Sequence, residues 1–156
     1  MEQVKEISRR MQNFMEENAK SQSKTYRNEE WRFEFQYPKR WTIVREDKSV
    51  NYYSRLLLEI SAPVIFMDEK RFDSAFLVNI VLPEFIHGFD GLEKNASEIT
   101  INNIKGIKYE YVFNNFPETA VILPFGELRM ILGTGSGSKQ YLDEFNQILT
   151  SFKFLK

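Results

Sequence analysis

KQYLDEFNQILTSFKFLK, residues 139–156, is the stretch whose reading decides the fold. At about 100° per residue, Tyr141, Phe145, Ile148, Leu149 and Phe152 fall within an arc of about 120°. Asp143, Glu144, Asn146 and Gln147 lie on the other side. The spacing predicts an amphipathic helix with one wet face. Gly135, Ser136, Gly137 and Ser138 ahead of it offer a serine to cap the first turn and glycines for a sharp approach. A helix so one-sided needs a broad apolar partner, and the upstream chain supplies strands.

Thr119–Leu123 and Glu127–Gly133 predict a strand pair around Pro124, Phe125 and Gly126. Before them, Glu98–Ile104 and Ile107–Phe113 alternate cleanly, with Lys105 and Gly106 read as the turn. Asp90 followed by Glu93 resembles a capping box opening a short helix to about Ser97. Ser74–Leu82 is apolar on both sides apart from Asn79, as a covered central strand should be. Arg55–Ala62 and Val64–Met67 predict a strand interrupted or ended at Pro63, and the charged run Asp68–Asp73 predicts a solvent loop. Trp31, Phe33, Phe35 and Tyr37 alternate with Arg32, Glu34 and Gln36, so four aromatics share one face of a strand. A turn at Pro38–Arg40 and a strand from Trp41 to Arg45 would close a hairpin. The sum is an α+β domain: a central antiparallel β-sheet of about seven strands flanked by helices, with the C-terminal helix packed on the sheet.

Residues 1–20 carry Val4, Ile7, Met11 and Phe14 at helical spacing, with Met15 beside them. This short stripe predicts a helix that docks on the domain, frays, or acts as a dimerising or membrane-proximal stalk with Lys5, Arg9 and Arg10 toward water or headgroups. Asn18–Lys24 is polar and aperiodic, which predicts a linker. The expected organisation is residues 1–24 as N-terminal helix and linker and 25–156 as the domain. The chain is expected to be a monomer or a weak dimer through residues 1–17.

With 21 basic and 22 acidic residues spread along the chain, no basic face for nucleic acid is expected. The chain has no cysteine, which removes disulfides, thiolate catalysis and cysteine-bound metals. No apolar run reaches the eighteen residues of a spanning helix, and no secretory signal follows Met1. For an exported protein, the signal or anchor would precede Met1.

Catalytic constellations are equally sparse. His87 is the one histidine, in a loop beside Gly88, where a solvated role is expected over a catalytic one. Gly133–Lys139, GTGSGSK, misses the phosphate-loop spacing because Ser138 separates the last glycine from Lys139. Glu59, Asp68, Glu69, Asp73, Glu84 and Asp90 follow no calcium-loop pattern. No catalytic residue, metal or cofactor is therefore expected. Apolar residues in two loops stand out: Phe85, Ile86 and Phe89 with His87, and Phe116 with Pro117. Were both loops at one end of the sheet, these six would form an aromatic rim for a protein partner.

Three motifs in order resemble the PsbP-like family: the aromatic strand ending Tyr37-Pro38 with Trp41 three residues on, the segment INNIKGIKYEY at 101–111, and the ending FNQILTSFKF at 145–154. The resemblance covers roughly Tyr26 to Phe154. That family is named for an extrinsic subunit of photosystem II and includes small bacterial exported or lipid-anchored proteins. The resemblance implies an antiparallel sheet flanked by helices, a non-enzymatic binding or assembly role, and an extracytoplasmic location near a membrane. The alternative function is a small-molecule binder or hydrolase using a cavity between the sheet and its helices.

Overall fold

In the computed structural model, residues 2–48, 51–66, 69–113, 115–134 and 141–156 are described, with backbone alone at 14–21, 64–66, 69–73, 87–88, 93, 113 and 116. The strands are β1 (Ser23–Asn28), β2 (Phe33–Pro38), β3 (Thr42–Lys48), β4 (Ser54–Phe66), β5 (Glu69–Val81), β6 (Ala96–Ile101), β7 (Ile104–Phe113), β8 (Phe116–Phe125), β9 (Leu128–Thr134) and β10 (Lys153–Phe154). Helix α1 spans Glu2–Ser21 and α2 spans Leu142–Ser151. Two short 3-10 segments, Pro83–Phe89 and Glu93–Asn95, lie between β5 and β6.

β3 to β9 form one seven-stranded sheet in the order β3-β4-β5-β9-β8-β7-β6, every neighbouring pair antiparallel. β1, β2 and β10 form a second, three-stranded sheet with β2 in the middle. Cross-strand partners share a face. One face of the large sheet therefore presents Leu56, Leu58, Ile60, Phe76, Val78, Ile80, Met130, Leu132, Val121 and Leu123, all sealed from solvent. This inner face is roofed by the small sheet and α2.

The roof is aromatic because β2 alternates: Phe33, Phe35 and Tyr37 point inward, as the period of two requires. Phe152 stacks on Phe33 and Phe35 at 5.5 and 5.6 Å between ring centres. Phe35 meets Phe76 of the large sheet edge-on at 5.2 Å, and Phe76 in turn meets Phe145 of α2 at 5.8 Å. Such contacts add about 0.5–1.5 kcal/mol each beyond the area they bury. They cross from layer to layer, so they fix the layers' spacing as well as their stability. Tyr26 on β1 donates its hydroxyl to Glu46 on β3 at 2.7 Å and accepts from the Asn28 amide at 2.9 Å, tying the small sheet to the edge of the large one.

The C-terminal stripe is buried as its spacing predicts: Tyr141, Phe145, Ile148, Leu149 and Phe152 all face the core. The helix is shorter than expected, however. It stops at Ser151 because Phe152 takes an extended conformation that lets Lys153 and Phe154 pair with Glu34 and Phe33. The anticipated cap at Gly135–Ser138 lies outside the described residues.

Several other expectations are revised. Residues 18–21 continue α1 and Ser23 begins β1, so Asn18–Lys24 is helix and strand with Gln22 alone between them. Trp31 precedes its strand, in a turn where Arg32 has φ 60°. β2 and β3 make no hairpin: β2 pairs with β1 and β10, while β3 pairs with β4. β4 runs through Pro63, and β5 begins at Glu69, replacing the predicted solvent loop with a long hairpin. The helix expected from Asp90 to Ser97 is one 3-10 turn followed directly by β6. The β6–β7 turn is Asn102-Asn103, both at positive φ, and Gly106 lies inside β7.

Candidate partner-binding surface

The other face of the large sheet is the outer one. Its residues include Leu57 and Glu59 on β4, Leu77 and Asn79 on β5, Ile131 on β9, Ala120 and Ile122 on β8, and Ile107, Tyr109 and Tyr111 on β7. The β7–β8 half is partly covered. After Val81 the chain turns through Pro83–Phe89 and lays Phe89 against Tyr109 at 5.2 Å and edge-on to Tyr111 at 6.0 Å. Proline at position 83 suits the first turn of a 3-10 segment, since its missing N–H would have no partner there.

This segment leaves an open groove of about 340 Å³ lined by Pro83, Glu84, Ile86, Phe89, Asp90, Tyr109 and Ile122. At its margin Phe85 turns away from the sheet and meets Tyr53 at 6.3 Å, and Tyr53 meets Tyr52 at 5.1 Å in an edge-to-face pair. Phe85 is 42% exposed, Tyr53 46% and Tyr52 76%. Ile107, opposite Ile122 across the β7–β8 ladder, is also exposed. Four of the domain's large exposed apolar side chains thus gather around one groove, where single scattered ones would need no explanation. The loop bearing Tyr52 and Tyr53 is held in shape by Asn51, whose side-chain oxygen accepts from the N–H groups of Tyr53 and Ser54 at 2.8 and 2.9 Å. The Leu82 N–H donates to the Tyr53 carbonyl at 2.9 Å, which sets the two aromatic loops side by side.

The six expected rim residues divide. Phe85, Ile86 and Phe89 lie together at the groove. Phe116 and Pro117 do not join them: β5 ends level with Arg129, near the Phe125–Leu128 turn, whereas β8 begins at the sheet's opposite end. The side chain of His87 lies outside the described residues. Tyr52 and Tyr53 were not anticipated, although two aromatics in a turn beside Asn51 are a readable signal of an exposed hydrophobic tip.

At the far end of the segment, the Tyr111 hydroxyl donates to Glu118 on the adjoining strand. Burial, together with the neighbouring carboxylate's charge and hydrogen bond, pushes the Tyr111 phenol up to about 12. Burial also raises Glu118, with the Tyr111 hydrogen bond acting the other way. Among the described residues, no three histidine, cysteine or carboxylate side chains cluster as metal ligands.

A second cleft, of about 490 Å³, lies between α2 and the end of β2 and is walled by Gln36, Arg40, Asp143, Glu144, Gln147 and Ser151. It is outside the aromatic core. The interior between the layers is filled by Trp41, Phe33, Phe35, Phe76, Phe145 and Phe152.

A two-sheet α+β sandwich with a seven-stranded antiparallel sheet and a C-terminal helix on its inner face defines the class. The particular fold is PsbP-like. Cyanobacterial PsbP (CyanoP) from Synechocystis sp. PCC 6803 superposes with a TM-score of 0.56 at 15% identity over 85% of this chain and 92% of its own. A crystal structure from Bacteroides thetaiotaomicron superposes at 0.54 and 14% identity over 86% of this chain. The chain spans about half of that protein's length (49%). No family model and no curated protein matches the chain. Among the described residues, no helix is long and apolar enough to cross a membrane.

Proposed function

We propose that this chain is a non-enzymatic binding or assembly domain that holds a protein partner on the aromatic surface around the outer groove, at an extracytoplasmic membrane surface. The observation that carries the reading is the exposed aromatic series Tyr52, Tyr53 and Phe85 beside an apolar groove. Tyrosine and phenylalanine give large contact area with few rotatable bonds, which is why they dominate the energetic centres of interfaces. The PsbP-like fold, shared with a cyanobacterial PsbP, supports the assembly role and the location. A filled interior gives no support to the alternative of a ligand cavity or hydrolase site between the layers.

The test is a photo-crosslinking residue at Tyr52 in the cells of the protein's own source, repeated with Phe85→Ser. One defined protein adduct that disappears in the variant supports the reading. An adduct unaffected by Phe85→Ser, or none, overturns the surface assignment. Fractionation of the same cells checks the location, and recovery in the cytosol would remove that half of the proposal.

A further inference from the structure

The inner face of the large sheet continues past its roof at the end where β8 begins. Val121 and Leu123 face the core, so Thr119, two residues earlier on the same strand, shares their side. Its cross-strand partner Glu110 on β7 does too, and so does the next pair along, Val112 and Pro117. With Leu142 at the start of α2 and Asn95 just ahead of β6, these side chains line an open cleft of about 370 Å³.

Thr119 points to a ligand. The residue is only 7% exposed, and its backbone is fully used: the N–H donates to the Thr134 hydroxyl at 2.9 Å, and the carbonyl accepts from that same hydroxyl at 3.3 Å. Its own hydroxyl lies at the cleft with no hydrogen-bond partner among the described residues. A hydroxyl so buried and left unpaired costs stability, so a valine would serve the fold as well or better. We propose that this cleft binds a small neutral polyhydroxyl ligand, a mono- or disaccharide, whose hydroxyl groups meet Thr119, Glu110 and Asn95.

Charge selects the ligand class. Glu110 pairs with Lys108, at 3.5 Å between Nζ and Oε1, so the floor carries no net charge. An anion would sit against the Glu110 carboxylate, and a cation would have to displace Lys108. A purely apolar ligand would leave Thr119 unpaired and desolvate Glu110. Sugar hydroxyls suit the floor because each can donate to the carboxylate and accept from the Thr119 hydroxyl or the Asn95 amide. The C–H face of the ring then packs on Val112, Pro117 and Leu142, of which Val112 is 70% exposed. The volume is at the small end of the roughly 300–1,000 Å³ of ligand sites, which suits one or two rings. The cleft is on the inner face, at the end of the sheet away from the Phe125–Leu128 turn, so it is independent of the partner surface proposed above.

The test is amide NMR of the full chain titrated with glucose, N-acetylglucosamine, maltose and trehalose, each to about 50 mM, far above the ~1 mM Kd of a weak complex. Inorganic phosphate and hexylamine serve as the charged comparisons. At least one sugar should give saturable shifts at Glu110, Val112 and Thr119 that exceed those with either charged probe. Thr119→Val and Glu110→Gln should each weaken that binding about tenfold, the share of one hydrogen bond. The urea midpoint of Thr119→Val should equal or exceed that of the unmodified chain. Absence of shifts with every sugar overturns the site, and larger shifts with phosphate or hexylamine overturn the ligand class. Binding unchanged in both variants, or a lowered urea midpoint in Thr119→Val, shows that the hydroxyl serves the fold and also overturns the proposal.

Discussion

Gly106 shows how one residue can be misread and still matter. A glycine beside lysine between two alternating runs reads as a turn, yet the turn lies three residues earlier, at Asn102 and Asn103 with φ 47° and 70°. Both central positions of such a hairpin need positive φ, which asparagine tolerates better than other residues with a Cβ. Gly106 instead faces the core, where an added Cβ would lie 2.5 Å from Leu123 Cδ2 and 2.6 Å from the Ile122 carbonyl oxygen. The leucine can turn aside, but the backbone oxygen cannot. Gly106→Ala should destabilise the domain by about 1–3 kcal/mol, read as a lowered urea midpoint with unchanged slope.

The Tyr111–Glu118 pair gives a pH signature. Tyr111 titrates at 10.0 when unfolded and about 12 when folded, so its contribution to stability is complete below pH 10 and is lost as pH rises toward 12. Tyr26, raised by burial and by Glu46, acts in the same direction. Tyr111→Phe should therefore reduce the alkaline fall in unfolding free energy between pH 10 and 12 and leave the Tyr26 share. Glu118 is raised as well, so stability declines as pH climbs from 4.5 through its folded value. Glu118→Gln should flatten that part of the curve.

At the scale of elements, periodic apolar segments could be read and polar or short ones could not. The α2 stripe was legible because five large side chains repeat at helical spacing, and each is buried. Phe145→Ala, which removes a fully buried ring touching Phe76, should cost about 3–5 kcal/mol in denaturant unfolding. β1, SKTYRN, has Tyr26 as its one large apolar residue, and β10 is two residues long. Neither carries a pattern, so nothing in the residues marks the second sheet, and the spacing pairs β2 with β3 instead. Pro63 reads as an interruption for a sound local reason that tertiary context sets aside. β3 pairs with β4 only as far as Ser61, so beyond it β4 is an edge on that side, where a missing N–H costs no ladder bond.

For the whole molecule, the seven-stranded antiparallel sheet with its helix followed from the strand count and short connections. Which loops share an end did not, because that depends on strand order, and β9 inserts between β5 and β8. Phe85, Ile86 and Phe89 are gathered by a segment running back across the sheet, whereas Phe116 and Pro117 are carried to the far end. The Tyr52-Tyr53-Phe85 surface makes no contribution to the core cluster. Tyr52→Ser with Phe85→Ser should leave unfolding free energy within about 0.5 kcal/mol per site while abolishing partner capture. A loss of fold in that double variant would make the surface structural.

The small sheet has a kinetic consequence. Gln36 and Ser151, which meet through backbone and hydroxyl groups, are 115 positions apart, whereas the β4–β5, β6–β7, β7–β8 and β8–β9 pairs are each local hairpins. Distant closures are slow to find, so the hairpins should gain amide protection first during refolding and β2 last. Until then the apolar inner face of the large sheet is unroofed, and dilute, cool refolding is the condition under which this chain should be recovered without aggregation.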